Sequence, residues 1–245
     1  MIIFHQYGAR RTGTNYTQAL LEENFSNIVV LDNITWKHDP LPPQINFYKS
    51  WIENPEKHYI KTCAQRYDLY ESITNILEQD QLKTIVNVKD PYAWVESLWR
   101  YTQNVHLIKA DERNSKYLFL DCNKDLTEQN VNLVQTIRTY NDRYNSWCRT
   151  TDHVLRYEDV LTNYESILNY FQETYNLIPI FKDLMNIKTG CDPMPINLKT
   201  IMPEWNYADY YLNKKYLKNL PTNIIETITE NIDWNLFGVY GYEPI

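Results

Sequence analysis

Short β-prone runs alternate with helix-periodic segments along this chain, and each of several runs ends where a helix begins; no other feature restricts its fold as strongly. Residues 2–4 are apolar and lead to Gly8, and residues 14–25 follow with Tyr16, Ala19, Leu20 and Leu21 at helical spacing. Residues 28–31 read as a second strand, 58–63 as a candidate third, and 84–88 as a clear one in which Ile85, Val86 and Val88 lie between polar segments. A helix over 69–77 precedes the last of these. Asp90-Pro91 puts a proline at a first helical position, and 93–101 then carries Trp94, Val95, Leu98 and Trp99 on one side. Residues 154–157 form another strand candidate, and 162–175 a helix with Ile167, Leu168, Tyr170 and Phe171 inward. Strands separated by helices pair in parallel and are covered on both faces. The expected fold is α/β, a central parallel β-sheet flanked by helices, on a single domain spanning 1–245.

Two stretches interrupt the alternation. Residues 103–136 are polar and charged without Gly or Pro linkers, which reads as an insertion. After Ile178-Pro179 the chain is irregular and rich in Pro and Tyr, until 213–231 resumes helical spacing through Leu217, Ile224, Ile225 and Ile228.

Charge narrows the ligand class. Lys plus Arg is 24 against 31 Asp plus Glu, a net −7 that argues against a general electrostatic grip on nucleic acid or an anionic membrane. An anionic ligand must therefore meet a local basic site. Cysteines 63, 122, 148 and 191 show no C-x-x-C pair and no regular spacing with the five histidines, so reduced thiols are expected and no zinc site. The first apolar stretch is short and precedes Arg10 and Arg11, the reverse of a secretory signal, and no run approaches roughly 18 apolar residues. A soluble, cytoplasmic protein is the expectation.

With only five glycines in the chain, the pair at Gly8 and Gly13 is informative. Gly8-Ala9-Arg10-Arg11-Thr12-Gly13-Thr14-Asn15 joins the first strand to the first helix, where backbone N–H groups and the helix dipole favour a phosphate. Thr12, Thr14 and Asn15 add side-chain donors. The glycine spacing matches the opening of a Walker A loop, but Thr14 stands in place of its lysine and Asn15 in place of its magnesium-binding hydroxyl. A phosphate cradle with two arginines and no metal hydroxyl suits an anion that transfers its group without γ-phosphate chemistry.

These residues resemble the 5′-phosphosulfate loop of the sulfotransferases that use 3′-phosphoadenosine 5′-phosphosulfate (PAPS): Arg11-Thr12-Gly13-Thr14-Asn15 aligns with that loop, Arg11 on the family's basic residue and Arg10 where proline is usual. A second segment, Val88-Lys89-Asp90-Pro91 through Ser97, is similar to the family's 3′-phosphate segment, with Lys89 and Ser97 at the family spacing. Lysine keeps the charge of the commoner arginine and loses its bidentate fork. Taken without the family, Lys89-Asp90 reads as a surface ion pair and Ser97 as a solvent-facing residue. Trp36-Lys37-His38-Asp39-Pro40-Leu41-Pro42 resembles the segment that carries the family's general base, and Arg156-Tyr157-Glu158-Asp159-Val160 its Tyr-Glu-Asp segment. The resemblance covers about residues 1–175; no clean match to a C-terminal 3′-phosphate ligand is found beyond it, and Lys199, Lys214 and Lys215 are candidates only.

The resemblance implies a P-loop-type, PAPS-dependent sulfotransferase that moves a sulfuryl group to a hydroxyl, or less often an amine, of a small-molecule or carbohydrate acceptor. His38 would remove the acceptor's proton, and Lys37 and Arg11 would neutralise charge on the transferring group and the leaving nucleotide. Arg10, Arg11, Thr12, Gly13, Thr14, Asn15, Lys89, Ser97 and Tyr157 would bind the donor, Tyr157 against its adenine; Glu158 and Asp159 would hold loops or cap the next helix. No metal is expected in the chemistry. Residues 103–136 would form an acceptor lid, and Trp36, Trp51, Trp94 and Trp99 would suit a sugar ring or a flat acceptor, or belong to the core. Two alternatives stand beside this reading, a P-loop nucleotide or metabolite kinase and a non-catalytic adenosine-bisphosphate-binding protein.

Overall fold

The computed structural model describes residues 2–9, 11–31, 82–106, 130–186 and 207–245. Four strands, β1 (Ile2–Gly8), β2 (Ile28–Leu31), β3 (Leu82–Val88) and β4 (His153–Arg156), form a sheet in the order β2-β1-β3-β4. Every pairing is parallel, with Ile2 opposite Ile28, Gly8 opposite Asn87 and Val88 opposite Arg156. Among the described residues the helices are α1 (Thr14–Asn24), α2 (Pro91–His106), α3 (Asn130–Trp147), α4 (Tyr157–Thr162), α5 (Tyr164–Tyr175), α6 (Tyr207–Leu212), α7 (Thr222–Asn231) and α8 (Trp234–Gly238), with a 3₁₀ turn at Lys215–Asn219. The strand expected over 58–63 and the helix over 69–77 lie outside the described residues.

Strand β1 is buried on both faces, as a central parallel strand must be. Alternation along it sends Phe4 and Gln6 to one face and His5 and Tyr7 to the other. Phe4 meets Phe171 and Tyr175 of α5 at 5.3 and 5.1 Å between ring centroids, while Tyr7 stacks on Trp147 of α3 at 5.9 Å. Helices therefore cover the sheet on both sides. On the α1 side a buried polar chain crosses the layers: Gln6 Nε2 donates to Asn87 Oδ1 (2.7 Å) and Asn87 Nδ2 to Thr17 Oγ1 (2.7 Å). Such a network ties β1, β3 and α1 into one register, because each buried amide costs stability unless it is paired.

Several boundaries differ from those read off the sequence. Tyr157 opens α4 instead of ending β4, and the expected helix over 162–175 is two helices broken at Asn163. The expected run over 213–231 is a 3₁₀ turn and a separate α7, because Leu220 is extended before Pro221, as a residue preceding proline prefers. At the ends of the polar stretch 103–136 the chain is helical, α2 continuing to His106 and α3 starting at Asn130; residues 107–129 lie outside the described residues. Within α3, Leu133, Ile137, Tyr140, Tyr144 and Trp147 form one buried stripe.

His5 carries a consequence for acid stability. Buried in β1 beside Tyr7, it has its pKa lowered by desolvation to about 3, so the folded chain leaves it neutral where the unfolded chain protonates it. The unfolded state binds the extra proton below pH 6.5, and stability present above that pH is lost as pH falls toward 3. From this group alone the loss is about 2 kcal/mol between pH 6.5 and 5. Asp90 and Glu158, raised by burial, act in the opposite sense, gaining stability as pH falls toward their ordinary range. Urea unfolding of wild type and His5→Phe across this range isolates the histidine: the variant is expected to lack its slope, and an unchanged slope would place the acid sensitivity elsewhere.

Candidate functional site

Strand β1 has β2 on one side and β3 on the other, so the chain leaves β1 and β3 in divergent directions and opens a crevice between their C-terminal ends. Open parallel sheets place ligands at this switch point. The glycine loop follows β1, Lys89 follows β3, and Tyr157 follows β4, so three of the motifs singled out in the sequence start at adjacent strand ends.

The loop is shaped by two departures from ordinary backbone. Arg11 has φ 72° and Gly13 φ 87°, both in the left-handed region that costs a side-chain-bearing residue about 1–2 kcal/mol. Thr12 closes the turn, its N–H and its hydroxyl both donating to Ala9 O (3.3 and 2.7 Å). Its hydroxyl is thereby committed to the loop. Gly13 opens α1 without a side-chain cap, leaving the positive end of the helix dipole at the crevice. A Cβ on Gly13 would fall 2.1 Å from the Tyr157 ring, and one on Gly8 would fall 2.6 Å from Thr12 Oγ1. Both glycines are required by packing.

Lys89 and Ser97 are not surface residues. They are 1 % and 2 % exposed, and Lys89 Nζ donates to Arg11 O at 3.3 Å, joining segments 78 residues apart. The Lys89 ammonium lies 4.7 Å from the ring centre of Tyr157 and 3.8 Å from that of Tyr211 in α6, two cation–π contacts in a water-poor setting. Burial lowers its pKa, with Tyr211 and Glu158 opposing that shift. Asp90 does not pair with it; Asp90 Oδ1 accepts from the N–H groups of Tyr92 (2.9 Å) and Ala93 (3.1 Å) and caps α2 ahead of Pro91.

Glu158 holds the loops together. Its Oε1 accepts from Asp90 N (3.2 Å) and its Oε2 from Tyr242 Oη (2.6 Å), while Asp159 pairs with Arg156 at 3.8 Å. Burial raises the Glu158 pKa against those hydrogen bonds. Thr14 is buried at the start of α1, and Asn15 and Arg11 are half-buried. Arg10, Lys37, His38 and Lys199 lie outside the described residues, as do Trp36 and Trp51. Trp94 stacks on Tyr140 at 3.7 Å inside the core, and Trp99 packs against the same core. Lys214 is close enough to act on the Asp90 carboxylate, whereas Lys215 pairs with Asp209 at the surface.

Four residues that sequence reasoning passed over shape the site. Tyr140 and Tyr144, one turn apart on α3, brace its floor: Tyr140 Oη donates to Lys89 O (3.2 Å), and Tyr144 Oη accepts from Ala9 N (3.1 Å) while donating to Asn87 O. Arg100, one turn beyond Ser97 on α2, donates to Tyr211 Oη (3.2 Å) and pairs with buried Glu96 at 3.2 Å. Tyr211 stands over Lys89. The i, i+4 tyrosine pair was the one available signal; nothing local marks Tyr211 or Arg100.

Among the described residues no group of three or more His, Cys, Asp or Glu side chains is placed to hold a metal ion, and no helix is long and apolar enough to cross a membrane. No protein-family model matches the chain, and no curated protein matches it at a significant level, so what the site binds is argued from the geometry of Arg11, Gly13, Lys89, Ser97 and Tyr157.

Proposed function

We propose that the protein is a PAPS-dependent sulfotransferase with a P-loop-type donor site on a single domain. The observation that supports this reading best is the meeting, at three adjacent strand ends, of the loop at Arg11 to Gly13, of Lys89 and of Tyr157. Arg11 and the α1 N-terminus would hold the 5′-phosphosulfate, Lys89 and Ser97 the 3′-phosphate, and Tyr157 the adenine edge, with Thr14 and Asn15 lining the loop and Arg10 beside it. When bound, PAPS supplies the activated sulfuryl group. Arg11 and Lys37 would offset the charge that develops on the sulfuryl oxygens and on the departing phosphate, and His38 would accept the proton of the acceptor hydroxyl. The acceptor would be a hydroxyl or amine of a small molecule or carbohydrate.

Calorimetric titration with adenosine 3′,5′-bisphosphate, run beside ATP with magnesium, tests the reading. Micromolar or tighter binding of the bisphosphate without matching affinity for ATP is the expected result. Preference for ATP with magnesium would transfer the protein to the kinases. Bisphosphate binding with no sulfuryl transfer to any of a panel of hydroxyl and amine acceptors would favour the non-catalytic alternative.

A further inference from the structure

The Tyr211 side chain lies against two cations. Arg100 Nη2 donates to its hydroxyl at 3.2 Å, and the Lys89 ammonium lies 3.8 Å from the centre of its ring. Ser97, 2 % exposed, lies one turn before Arg100 on α2, and both it and Lys89 favour the ionised phenol. The ring is 3 % exposed and is held edge-on by Tyr157 at 5.2 Å and by Tyr210 at 5.1 Å. Two cations meeting at one buried side chain, with a buried serine hydroxyl on the same helix as one of them, is what a phosphate monoester needs, and a neutral phenol is a poor use of it. The phenol responds accordingly: burial pushes its pKa up, but the pull of Lys89 and Arg100 and the effect of Ser97 outweigh burial and leave it lowered. The neighbouring Tyr210 is used differently, its hydroxyl donating to Glu96 Oε1 (2.8 Å) and accepting from Asn219 Nδ2 (2.9 Å), so it anchors α6 to the same carboxylate that pairs with Arg100.

We infer that the Tyr211 hydroxyl holds the place of the donor nucleotide's 3′-phosphate, that Arg100 is a third ligand for that phosphate beside Lys89 and Ser97, and that binding requires the Tyr211 side chain to leave. The inference rests on the sulfotransferase reading of the site and adds to it an internal competitor and one ligand. Because a nucleotide binds only the fraction of molecules in which Tyr211 has left, the wild-type affinity is reduced by that fraction.

The test is titration of wild type, Tyr211→Phe and the Tyr211→Phe/Arg100→Gln double variant with adenosine 3′,5′-bisphosphate and with adenosine 5′-monophosphate, which lacks the 3′-phosphate. Removing only the phenol oxygen abolishes the competing hydrogen bonds and keeps the ring, so Tyr211→Phe is expected to bind the bisphosphate roughly tenfold more tightly and the monophosphate with little change. In that background, where Arg100 no longer restrains the tyrosine, Arg100→Gln is expected to return the bisphosphate affinity by about tenfold and to spare the monophosphate. Thermal melts of all three proteins establish that they are folded. Wild type that prefers bisphosphate over monophosphate, with Tyr211→Phe no tighter, would overturn the competitor and leave the donor site standing. Failure of every folded protein to bind either nucleotide would overturn both.

Discussion

Gly13→Ala is expected to destabilise the fold by about 2–5 kcal/mol in urea unfolding, the sum of a left-handed backbone penalty and overpacking. Alanine at φ 87° is strained whatever surrounds it, and its Cβ would fall 2.1 and 2.5 Å from Cδ2 and Cε2 of Tyr157. The ring has little room to retreat, being 6 % exposed and wedged edge-on between Tyr16 at 6.4 Å and Tyr211 at 5.2 Å. The two contributions separate in a cycle with Tyr157→Ala. The double variant removes the clash and retains the dihedral cost, so the loss at position 13 should shrink to about 1–2 kcal/mol in that background. A single Gly13→Ala variant within about 1 kcal/mol of wild type would mean that Tyr157 does not press on the loop. The contact matters for function because it joins the phosphate cradle after β1 to the aromatic residue after β4.

Lys89→Met is expected to weaken adenosine 3′,5′-bisphosphate binding about a hundredfold while stability holds or rises. A lysine 1 % exposed carries a desolvation cost that its hydrogen bond to Arg11 O and its contacts with Tyr157 and Tyr211 only partly offset, which is why its pKa is lowered. Methionine fills similar volume and places a thioether between the two rings, a favourable neighbour for aromatic edges. Opposite signs for binding and stability are what distinguish a ligand-binding cation from a structural one. Calorimetry and urea unfolding on the same preparation decide it: a variant that loses stability and keeps bisphosphate affinity would make Lys89 part of the scaffold.

Legibility in the sequence varies by element. β1, α1, β2 and β3 were readable from apolar runs, helical spacing and the placement of Gly8, Gly13 and Pro91, because those signals are local and act through backbone dihedrals. The parallel sheet followed from their alternation. Helix α3 was obscured because its stripe of Leu133, Ile137, Tyr140, Tyr144 and Trp147 mixes tyrosines with aliphatic residues. A tyrosine reads as core only when its hydroxyl has a partner, and here those partners are Lys89 O and Asn87 O, more than fifty residues away.

The candidate site divides the same way. Sequence alone determined which residues border the strand ends, namely Arg11 to Asn15, Lys89 and Tyr157, since the end of a strand positions the residues directly after it. Whether Lys89 and Ser97 face water or the interior was a tertiary decision: burial of Lys89 depends on Tyr211, 122 positions later, folding over it. The same closure puts Arg100 against the Tyr211 hydroxyl and leaves Glu158 bridging Asp90 and Tyr242. Local sequence encodes periodicity and backbone preference; the dielectric around a charge, and the partner that meets it, are set only when distant segments pack together.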